Sequence, residues 1–250
     1  TANVRKILSE YLACGIDPEK AAIYVQSDVK EVLELYLYLN MNAYLGELQR
    51  VTSFKEKARK QPENVNAGLL TYPTLMAADI LIHRADKVPV GKDQEQNMEM
   101  ARKFARRFNT IYGVEFFPEP QSYSFGGDAI KVPGLDGSGK MGKSEGNAIY
   151  LIDDAATIRK KVMKAVTDSG PTQPNSEKPE AIANLFTMLK IVSSADTYDY
   201  FNEKYNACEI RYGDLKKQLA EDIVNFTSPI RERILAYAAD TEYMDKVARE

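Results

Sequence analysis

The stretch Gly137-Ser138-Gly139-Lys140-Met141-Gly142-Lys143-Ser144 decides between two folds. Spelled G-x-x-x-x-G-K-S, it fits the P-loop of nucleotide-binding proteins, in which backbone amides cradle phosphates and the lysine reaches them. A second interpretation is a mobile loop whose two lysines clamp a polyphosphate as point charges. A solvated, glycine-rich surface loop is the third, because short motifs also occur by chance.

The sequence on either side of the octapeptide argues against the P-loop. That loop needs a buried strand before it and a helix that opens directly after its Lys-Ser pair. Pro133-Gly134 interrupts the chain before the octapeptide, and Glu145-Gly146-Asn147 is a poor helix opening. The apolar run 148–152 favours an extended segment, which would exclude the P-loop.

Composition describes a globular chain without secretion or membrane signals. Its 250 residues are 44% hydrophobic and 28% charged, enough for one large or two modest domains. No apolar run approaches a membrane span, and no signal peptide is apparent. Cys14 and Cys208 lack metal-type spacing and predict a reduced, cytoplasmic protein with ordinary thiols. The chain has one histidine, His83, and no metal ligands are predicted. The net charge of −3 restricts any nucleic-acid contact to a local basic patch.

Hydrophobic periodicity predicts strands that alternate with helices, which is typical of a parallel α/β sheet. Past residue 152 helical patterns dominate, so a domain boundary is predicted there. The helix 33–45 is apolar on several faces, and both a core helix and a subunit interface remain open for it. The predicted elements in the first part are a helix over 1–14, a buried strand at 23–25, helices over 33–45 and 69–85, a strand at 88–91 and a helix over 94–112.

Two segments carry candidate binding chemistry. Tyr72, Met76 and Asp79 stand at i, i+4 and i+7 and share one helix face. If Asp79 is buried there, it is an acceptor in an apolar pocket and suits an aromatic ligand with one N–H, such as an indole; an exposed helix edge is the alternative. Segment 91–94 comes directly after a predicted parallel strand, where ligands bind in open α/β sheets, although Asp93 would also serve as a helix cap.

Three segments in register resemble the tryptophanyl-tRNA synthetases of class I. They are Tyr72-Pro73-Thr74-Leu75-Met76-Ala77-Ala78-Asp79-Ile80-Leu81, Val88-Pro89-Val90-Gly91-Lys92-Asp93-Gln94 and Lys140-Met141-Gly142-Lys143-Ser144. Gly46-Glu47-Leu48 and Ala165-Val166-Thr167-Asp168-Ser169 are also similar to that family, and the resemblance covers nearly the whole chain. The related tyrosyl enzymes carry glutamine where Met76 stands, so the methionine favours tryptophan.

The resemblance implies a reaction and its residues: L-tryptophan is activated with ATP to tryptophanyl-adenylate and transferred to tRNA(Trp), with Mg²⁺ sharing the phosphate charge. Asp79 would accept the indole N–H, and Lys140 and Lys143 would act catalytically on the polyphosphate. The remaining implied tryptophan contacts are Tyr72, Met76, Val88, Val90 and Gln94, and the implied ATP contacts are Gly91, Lys92, Asp93, Ile130, Lys140, Met141, Gly142, Lys143 and Ser144.

The resemblance also implies an architecture and partners. A Rossmann-like catalytic domain, N-terminally incomplete, would span 1–152, and an all-helical tRNA-binding domain 153–250. Family members form homodimers, which would suit the helix 33–45. A basic helix face at 159–164 would meet the tRNA backbone, although a merely solvated face is an equal interpretation.

The chain departs from the family pattern in two places. Gly142 replaces the usual serine of the lysine loop, and no segment matches the first, His-Ile-Gly-His-like signature that binds ATP. We therefore expect the native protein to extend before Thr1 and a polypeptide of these 250 residues alone to be inactive in amino-acid activation. A non-catalytic paralogue that only binds tryptophan is the remaining alternative.

Overall fold

The computed structural model describes residues 2–123 and 131–248. By internal packing the chain forms two compact units, residues 25–128 and residues 1–24 with 129–250. This division differs from the predicted boundary near residue 152, which stays a prediction.

In the described ranges no helix has the length and apolar content needed to cross a lipid bilayer. The α-helices of these ranges are α1 (Ala2–Ala13), α2 (Glu31–Met41), α3 (Leu45–Leu48), α4 (Thr52–Lys60), α5 (Ala67–Leu81), α6 (Glu95–Tyr112), α7 (Ala155–Met163), α8 (Glu180–Val192), α9 (Ala195–Asn206), α10 (Tyr212–Ala239) and α11 (Thr241–Val247).

The unit of residues 25–128 contains a parallel strand pair. Strands β1 (Lys87–Pro89) and β2 (Gln121–Tyr123) pair with Val88 opposite Ser122, and α6 forms the connection between them. A parallel pair needs such a crossover, so the predicted strand–helix alternation is confirmed for this part of the chain. The core of the unit forms where α2, α5 and α6 pack, around Leu39, Leu81 and Phe104.

Local signals explain where α5 and α6 begin and end. The Asn66 side chain accepts a hydrogen bond from the Leu69 amide at 3.0 Å and caps the start of α5. Gly113 ends α6 in a left-handed conformation, with φ at 65°, as helix-terminating glycines do. The prediction of 94–112 matches α6 within one residue, whereas the predicted helix 69–85 starts two residues late and runs four residues past the end of α5.

One local prediction was wrong, and one of the two interpretations of the helix 33–45 does not fit the structure. Residues 23–25 form no strand, because no segment of the described chain pairs with them. Helix α2 is not a buried core helix: Val32 and Leu39 are buried, whereas Leu37 and Met41 are 57% and 74% exposed. An apolar sequence therefore covers an outward face of this unit.

The other unit is helical in its described part. Helices α7 to α10 enclose a core that includes Ile158, Leu189 and Leu219, and α1 packs with α10 and α11 through Leu8 and Met244. Asp154 caps α7 by accepting from the Thr157 amide at 2.7 Å. Both cysteines, Cys14 and Cys208, are free and exposed.

Candidate active site

Asp79, the predicted indole acceptor, lies half-buried on α5 and is hydrogen-bonded. The side-chain amide of Gln26 donates to both carboxylate oxygens, at 2.8 and 2.7 Å. An amide that bridges both oxygens restricts rotation of the carboxylate. Each oxygen retains lone pairs for another donor. Asp79 is therefore an oriented acceptor and neither buried without a partner nor free at a helix edge.

The rest of the predicted tryptophan pocket lies on two neighbouring elements. Met76 on α5, Val88 on β1 and Val90 just after it are all half-buried and pack against the same hydrophobic core. The structure thus places Asp79 on the helix that carries Met76, in the compact unit that holds both valines. An apolar wall with one fixed acceptor suits an aromatic ligand that has one N–H.

Tyr72, predicted to hold the amino-acid head group, is anchored by α4. Its hydroxyl is hydrogen-bonded to the hydroxyl of Ser53, and the ammonium of Lys57 lies 4.5 Å from its ring centroid. The spacing of Ser53 and Glu56 in the sequence predicts a capping box, but this prediction is wrong: Ser53 lies inside α4, and its hydroxyl contacts Tyr72 instead. Sequence reasoning missed Lys57 entirely, although its spacing from Ser53 on one helix face was visible.

The segment after β1 forms a compact polar turn. Residues 92–94 make a 3₁₀ turn that leads into α6. The side-chain amide nitrogen of Gln94 donates to the Asp93 carboxylate at 2.8 Å. The side-chain oxygen of Gln94 accepts from the side-chain amide of Asn97 at 2.9 Å. A Cβ on Gly91 would lie 2.6 Å from the Asp93 carboxylate, so a larger residue at this position would require that exposed side chain to shift. Asp93 therefore orients Gln94 and is not the side-chain cap of α6.

The lysine loop, residues 134–147, belongs to the other unit. Lys140 and Lys143 are exposed, and within the described chain neither ammonium makes an ion pair or hydrogen bond. The loop backbone is ordered by bonds such as Met141 N–H to the Val132 carbonyl, at 2.9 Å. Two free cations on a defined backbone suit an anionic ligand.

The P-loop alternative is contradicted by the backbone conformation after Ser144. Residues 143–145 form one 3₁₀ turn, which Gly146 ends with φ at 67°. Residues 147–150 have no helical structure, and the next helix, α7, begins at Ala155. In a P-loop, the backbone amides that bind phosphate lie at the N-terminus of the helix that follows the Lys-Ser pair. No such helix follows Ser144 in the described chain.

A buried asparagine organises the lysine loop. Asn147 is 6% exposed and donates to the Asp136 carboxylate, the Ser138 hydroxyl and the Lys140 carbonyl, each at 3.0 Å, while its side-chain oxygen accepts from the Gly142 amide at 3.0 Å. Hydrogen bonds from the Ser138 hydroxyl and then the Asn147 amide hold the pKa of the Asp136 carboxyl below its usual value. The sequence had suggested only a poor helix opening at this asparagine.

A second asparagine ties the loop to the helices. Asn184 on α8 is 9% exposed and donates to the Gly137 and Ser138 carbonyls, at 3.1 and 3.0 Å. An asparagine within a helical pattern gives no sign of such a contact, because the loop lies 46 residues earlier in the chain.

The basic face of α7 is partly neutralised. Arg159 forms a bidentate pair with Glu221, at 2.7 and 2.8 Å, and Lys161 pairs with Asp153 at 2.5 Å. Lys160 and Lys164 remain exposed. The predicted four-charge patch is therefore reduced to two available cations.

Two predicted ATP contacts are not fully described. Ile130 lies outside the described residues, and of Lys92 the structure describes only the backbone. The predicted residues that are described fall into two sets: Tyr72, Met76, Asp79, Val88, Val90, Gly91, Asp93 and Gln94 in one unit, and Met141, Gly142, Ser144 and the two lysines in the other.

The chain is similar to known proteins along nearly its whole length. The family described as tRNA synthetases class I (W and Y) matches residues 1–228. A tryptophan--tRNA ligase of Porphyromonas gingivalis is 80% identical over 248 residues, which cover 99% of this chain and 76% of that protein. One from Listeria monocytogenes is 42% identical, over 95% of this chain and 72% of that protein.

A solved structure gives the same result for the fold. The tryptophanyl-tRNA synthetase of Campylobacter jejuni, complexed with ADP and tryptophan, superposes with a TM-score of 0.82 at 33% identity, over 97% of this chain and 74% of that one. The predicted fold class, a Rossmann-like class I catalytic region with a helical region, is confirmed by this likeness. The chain belongs to the class I tRNA synthetases for tryptophan and tyrosine, and within them to the tryptophan--tRNA ligases.

Proposed function

We propose that this protein joins L-tryptophan to ATP as tryptophanyl-adenylate, releases pyrophosphate, and then transfers the tryptophan to tRNA(Trp). The observation that carries the proposal is the half-buried Asp79 carboxylate, oriented by Gln26. The indole N–H of tryptophan is its proposed donor. A site that must satisfy such an acceptor rejects aromatic side chains that have no N–H.

Around Asp79, each neighbouring side chain has a proposed part in tryptophan binding. Met76, Val88 and Val90 line the indole ring, with methionine offering a soft, polarisable surface. Tyr72 and Gln94 hold the amino-acid head group, and their own hydrogen bonds to Ser53 and Asp93 restrict their orientations. Side chains held in this way lose little freedom when the ligand binds.

Adenylate formation needs charge stabilisation more than proton transfer. The tryptophan carboxylate attacks the α-phosphorus, a carboxylate oxygen–phosphorus bond forms, and the bond to the pyrophosphate oxygen breaks. Negative charge grows on the leaving pyrophosphate, and the unpaired cations Lys140 and Lys143 are proposed to stabilise it. Gly91, Lys92 and Asp93 are proposed as ATP contacts, and so are Met141, Gly142 and Ser144. Ile130, the remaining proposed contact, lies outside the described residues.

Magnesium is proposed to arrive with ATP. In the described residues no group of three or more His, Cys, Asp or Glu side chains is placed to hold a metal ion. Mg²⁺ is commonly bound through substrate phosphates with few protein ligands, so this chain fits an ion that the nucleotide carries. The protein's own contribution is then the lysine charge.

For tRNA(Trp), the proposed contacts lie on the helical part, residues 153–250. Lys160 on α7 and Lys164, directly after it, are exposed. Each phosphate that a cation neutralises adds a salt-dependent increment to affinity. Arg159 and Lys161 already have carboxylate partners and would contribute less.

A homodimer is proposed through α2. Its outward face carries exposed Leu33, Leu37, Tyr38 and Met41, and Tyr44 and Leu45 continue the patch. Contiguous exposed apolar surface marks an interaction site, and two-fold dimers are the commonest symmetric assembly. The cytoplasm is the proposed compartment, since two free, exposed cysteines suit a reducing environment.

Tryptophan-dependent exchange of pyrophosphate into ATP tests the proposal in the full-length natural protein. We expect exchange in the wild type, a fall of about 100-fold or more in kcat for Lys140→Ala, and no change for Lys190→Ala, an exposed lysine of α8. Tryptophan binding without exchange would instead support the non-catalytic paralogue. Exchange with tyrosine but not tryptophan would contradict the substrate assignment.

A further inference from the structure

The geometry points to Asn147 as the positioning residue of the lysine loop: its side-chain amide fixes the loop backbone from which Lys140 and Lys143 project. This inference rests on the proposed role of the two lysines in adenylate formation. Asn147 is proposed to act through the backbone that it binds.

The four hydrogen bonds of Asn147 join both arms of the loop. On one side the amide nitrogen donates to Asp136 and Ser138, and on the other it donates to the carbonyl of Lys140, so one of its two N–H groups is shared between two acceptors. The side-chain oxygen accepts from the Gly142 amide. The Lys140 and Gly142 backbones are thus bound by one planar group. A side chain that binds a carbonyl and an amide two residues apart restricts the path of the loop between them.

Burial makes this arrangement selective for asparagine. At 6% exposure the amide has little access to water, so a lost partner would leave a buried polar group unsatisfied. Asparagine supplies two N–H donors and an acceptor in one short plane, a combination that aspartate and leucine do not offer. Glutamine is longer by one methylene and would displace the plane from the loop.

Gly134 provides an independent sign that this polar cluster is tightly packed. A Cβ added to Gly134 would overlap the Asn147 amide, the Asp136 carboxylate and the Ser138 hydroxyl. The backbone of Gly134 also donates to the Ser138 carbonyl at 3.0 Å. The chain therefore approaches the cluster closely enough to exclude any side chain at this position.

A fixed backbone matters because the lysine side chains are long and otherwise unrestrained. Within the described chain neither ammonium has a partner. Rate enhancement by charge depends on cations that already stand where charge develops. If the loop backbone samples several conformations, tryptophan still binds, but fewer enzyme–substrate complexes have both cations in place. The value of kcat then falls, while the KM for tryptophan stays unchanged.

The test uses Asn147→Ala and Asn147→Asp in the full-length natural protein. Asn147→Asp keeps the volume and the acceptor for Gly142, but it loses the donors and sets a second carboxylate against Asp136. It therefore breaks the donated bonds to the loop without leaving a cavity. We expect both variants to lower kcat for pyrophosphate exchange by tenfold or more, with the KM for tryptophan unchanged within twofold. Amide hydrogen exchange at Met141 and Gly142 should accelerate, while that in α8 stays at the wild-type rate.

Asn202→Ala is the matched control, because it removes an asparagine that accepts from Lys178 at 2.8 Å in the same unit, away from the loop. It should leave kcat and exchange at Gly142 unchanged. Wild-type kcat in the Asn147 variants, together with a low kcat in Lys140→Ala, would overturn the inference and leave the proposed function standing. Wild-type kcat in Lys140→Ala and Lys143→Ala would overturn the proposed role of the lysines and this inference with it.

Discussion

The side-chain amide of Gln26 bridges both carboxylate oxygens of Asp79, at 2.8 and 2.7 Å, across 53 residues of sequence. This bond links the 3₁₀ turn at 26–28 to α5 within one compact unit. The bond fixes the orientation of a carboxylate that would otherwise rotate, so Asp79 is a defined acceptor.

Removing the charge of Asp79 should weaken tryptophan binding selectively. Hydrogen bonds to charged groups contribute roughly 1.5–3 kcal/mol, so Asp79→Asn should raise the dissociation constant for tryptophan about ten- to 100-fold. Gln26→Ala should cost less, about three- to tenfold, because it frees the carboxylate without removing it. Calorimetry on the full-length protein measures both.

A tryptophan analogue whose ring nitrogen is replaced by sulfur provides the control. It has no N–H to donate, so Asp79→Asn should not weaken it further. An equal loss for tryptophan and for the analogue would contradict the assignment of Asp79 to the indole nitrogen.

Neighbouring arginines on α6 should differ sharply in their contribution to stability. Arg107 donates to both oxygens of Glu47, at 3.0 and 2.9 Å, and to the Asn42 carbonyl at 2.8 Å; its side chain is 16% exposed. Lysine cannot reproduce this fork, so Arg107→Lys should lower the free energy of unfolding by about 1–3 kcal/mol. Urea denaturation measures the change.

Arg106→Lys is the matched comparison on the same helix. Arg106 pairs with Glu99 and Glu119, but its side chain is 48% exposed and screened by water. Its replacement should shift stability by less than about 0.5 kcal/mol. Equal losses for the two variants would show that burial of the Arg107 pair has no special effect.

Two loop glycines should respond differently to the same added methyl group. Gly142 has extended dihedrals, with φ at −146°, and a Cβ would lie 3.2 Å from the exposed Glu145 side chain, which can move. Gly146 has φ at 67°, where a side chain is strained. Gly142→Ala should therefore leave the stability of the loop nearly unchanged. Gly146→Ala should lower the free energy of local unfolding of the loop by about 1–2 kcal/mol.

Amide hydrogen exchange across residues 140–147 measures this difference. The extended backbone at position 142, where the family carries serine, also permits a side chain, provided that Glu145 moves slightly. A destabilised Gly142→Ala loop, with Gly146→Ala unaffected, would contradict the dihedral argument.

Charged residues on the outward face of α2 should prevent self-association. Leu37→Lys and Met41→Lys place a cation at positions that are 57% and 74% exposed, so the fold of one chain should tolerate them. We expect the full-length variants to sediment as monomers where the wild type sediments as a dimer. Leu39→Ala, at a position 1% exposed, should instead lower stability by about 2–5 kcal/mol. Dimers that persist in both lysine variants would exclude this face.

Local sequence patterns predicted several secondary-structure elements, but they did not predict side-chain roles that depend on contacts between distant segments. Helices α5 and α6 were found from the apolar residues that recur at helical spacing along both, and the structure shows Asn66 and Gly113 at their limits. The absence of a helix after Ser144 was likewise readable from Gly146. The roles of Gln26 and Asn184 were not, because each bonds a segment more than 45 residues away and no local pattern records such a partner.

The two wrong predictions have the same physical origin. Residues 23–25 have strand propensity, but a strand exists only with a hydrogen-bonded neighbour. Ser53 has the spacing of a capping box, but its hydroxyl has a better partner in Tyr72. Propensity and spacing describe what a segment is able to do, and tertiary contacts decide among the options.

The Arg107 contacts bear on how costly association through α2 would be. The guanidinium binds the Asn42 carbonyl just past the end of α2, and it lies 4.1 Å from the ring centroid of Tyr44, a member of the apolar patch. Because Tyr44 and the end of α2 are already held within one chain, little conformational entropy is left to lose when a second surface arrives. More of the contact energy then remains as affinity.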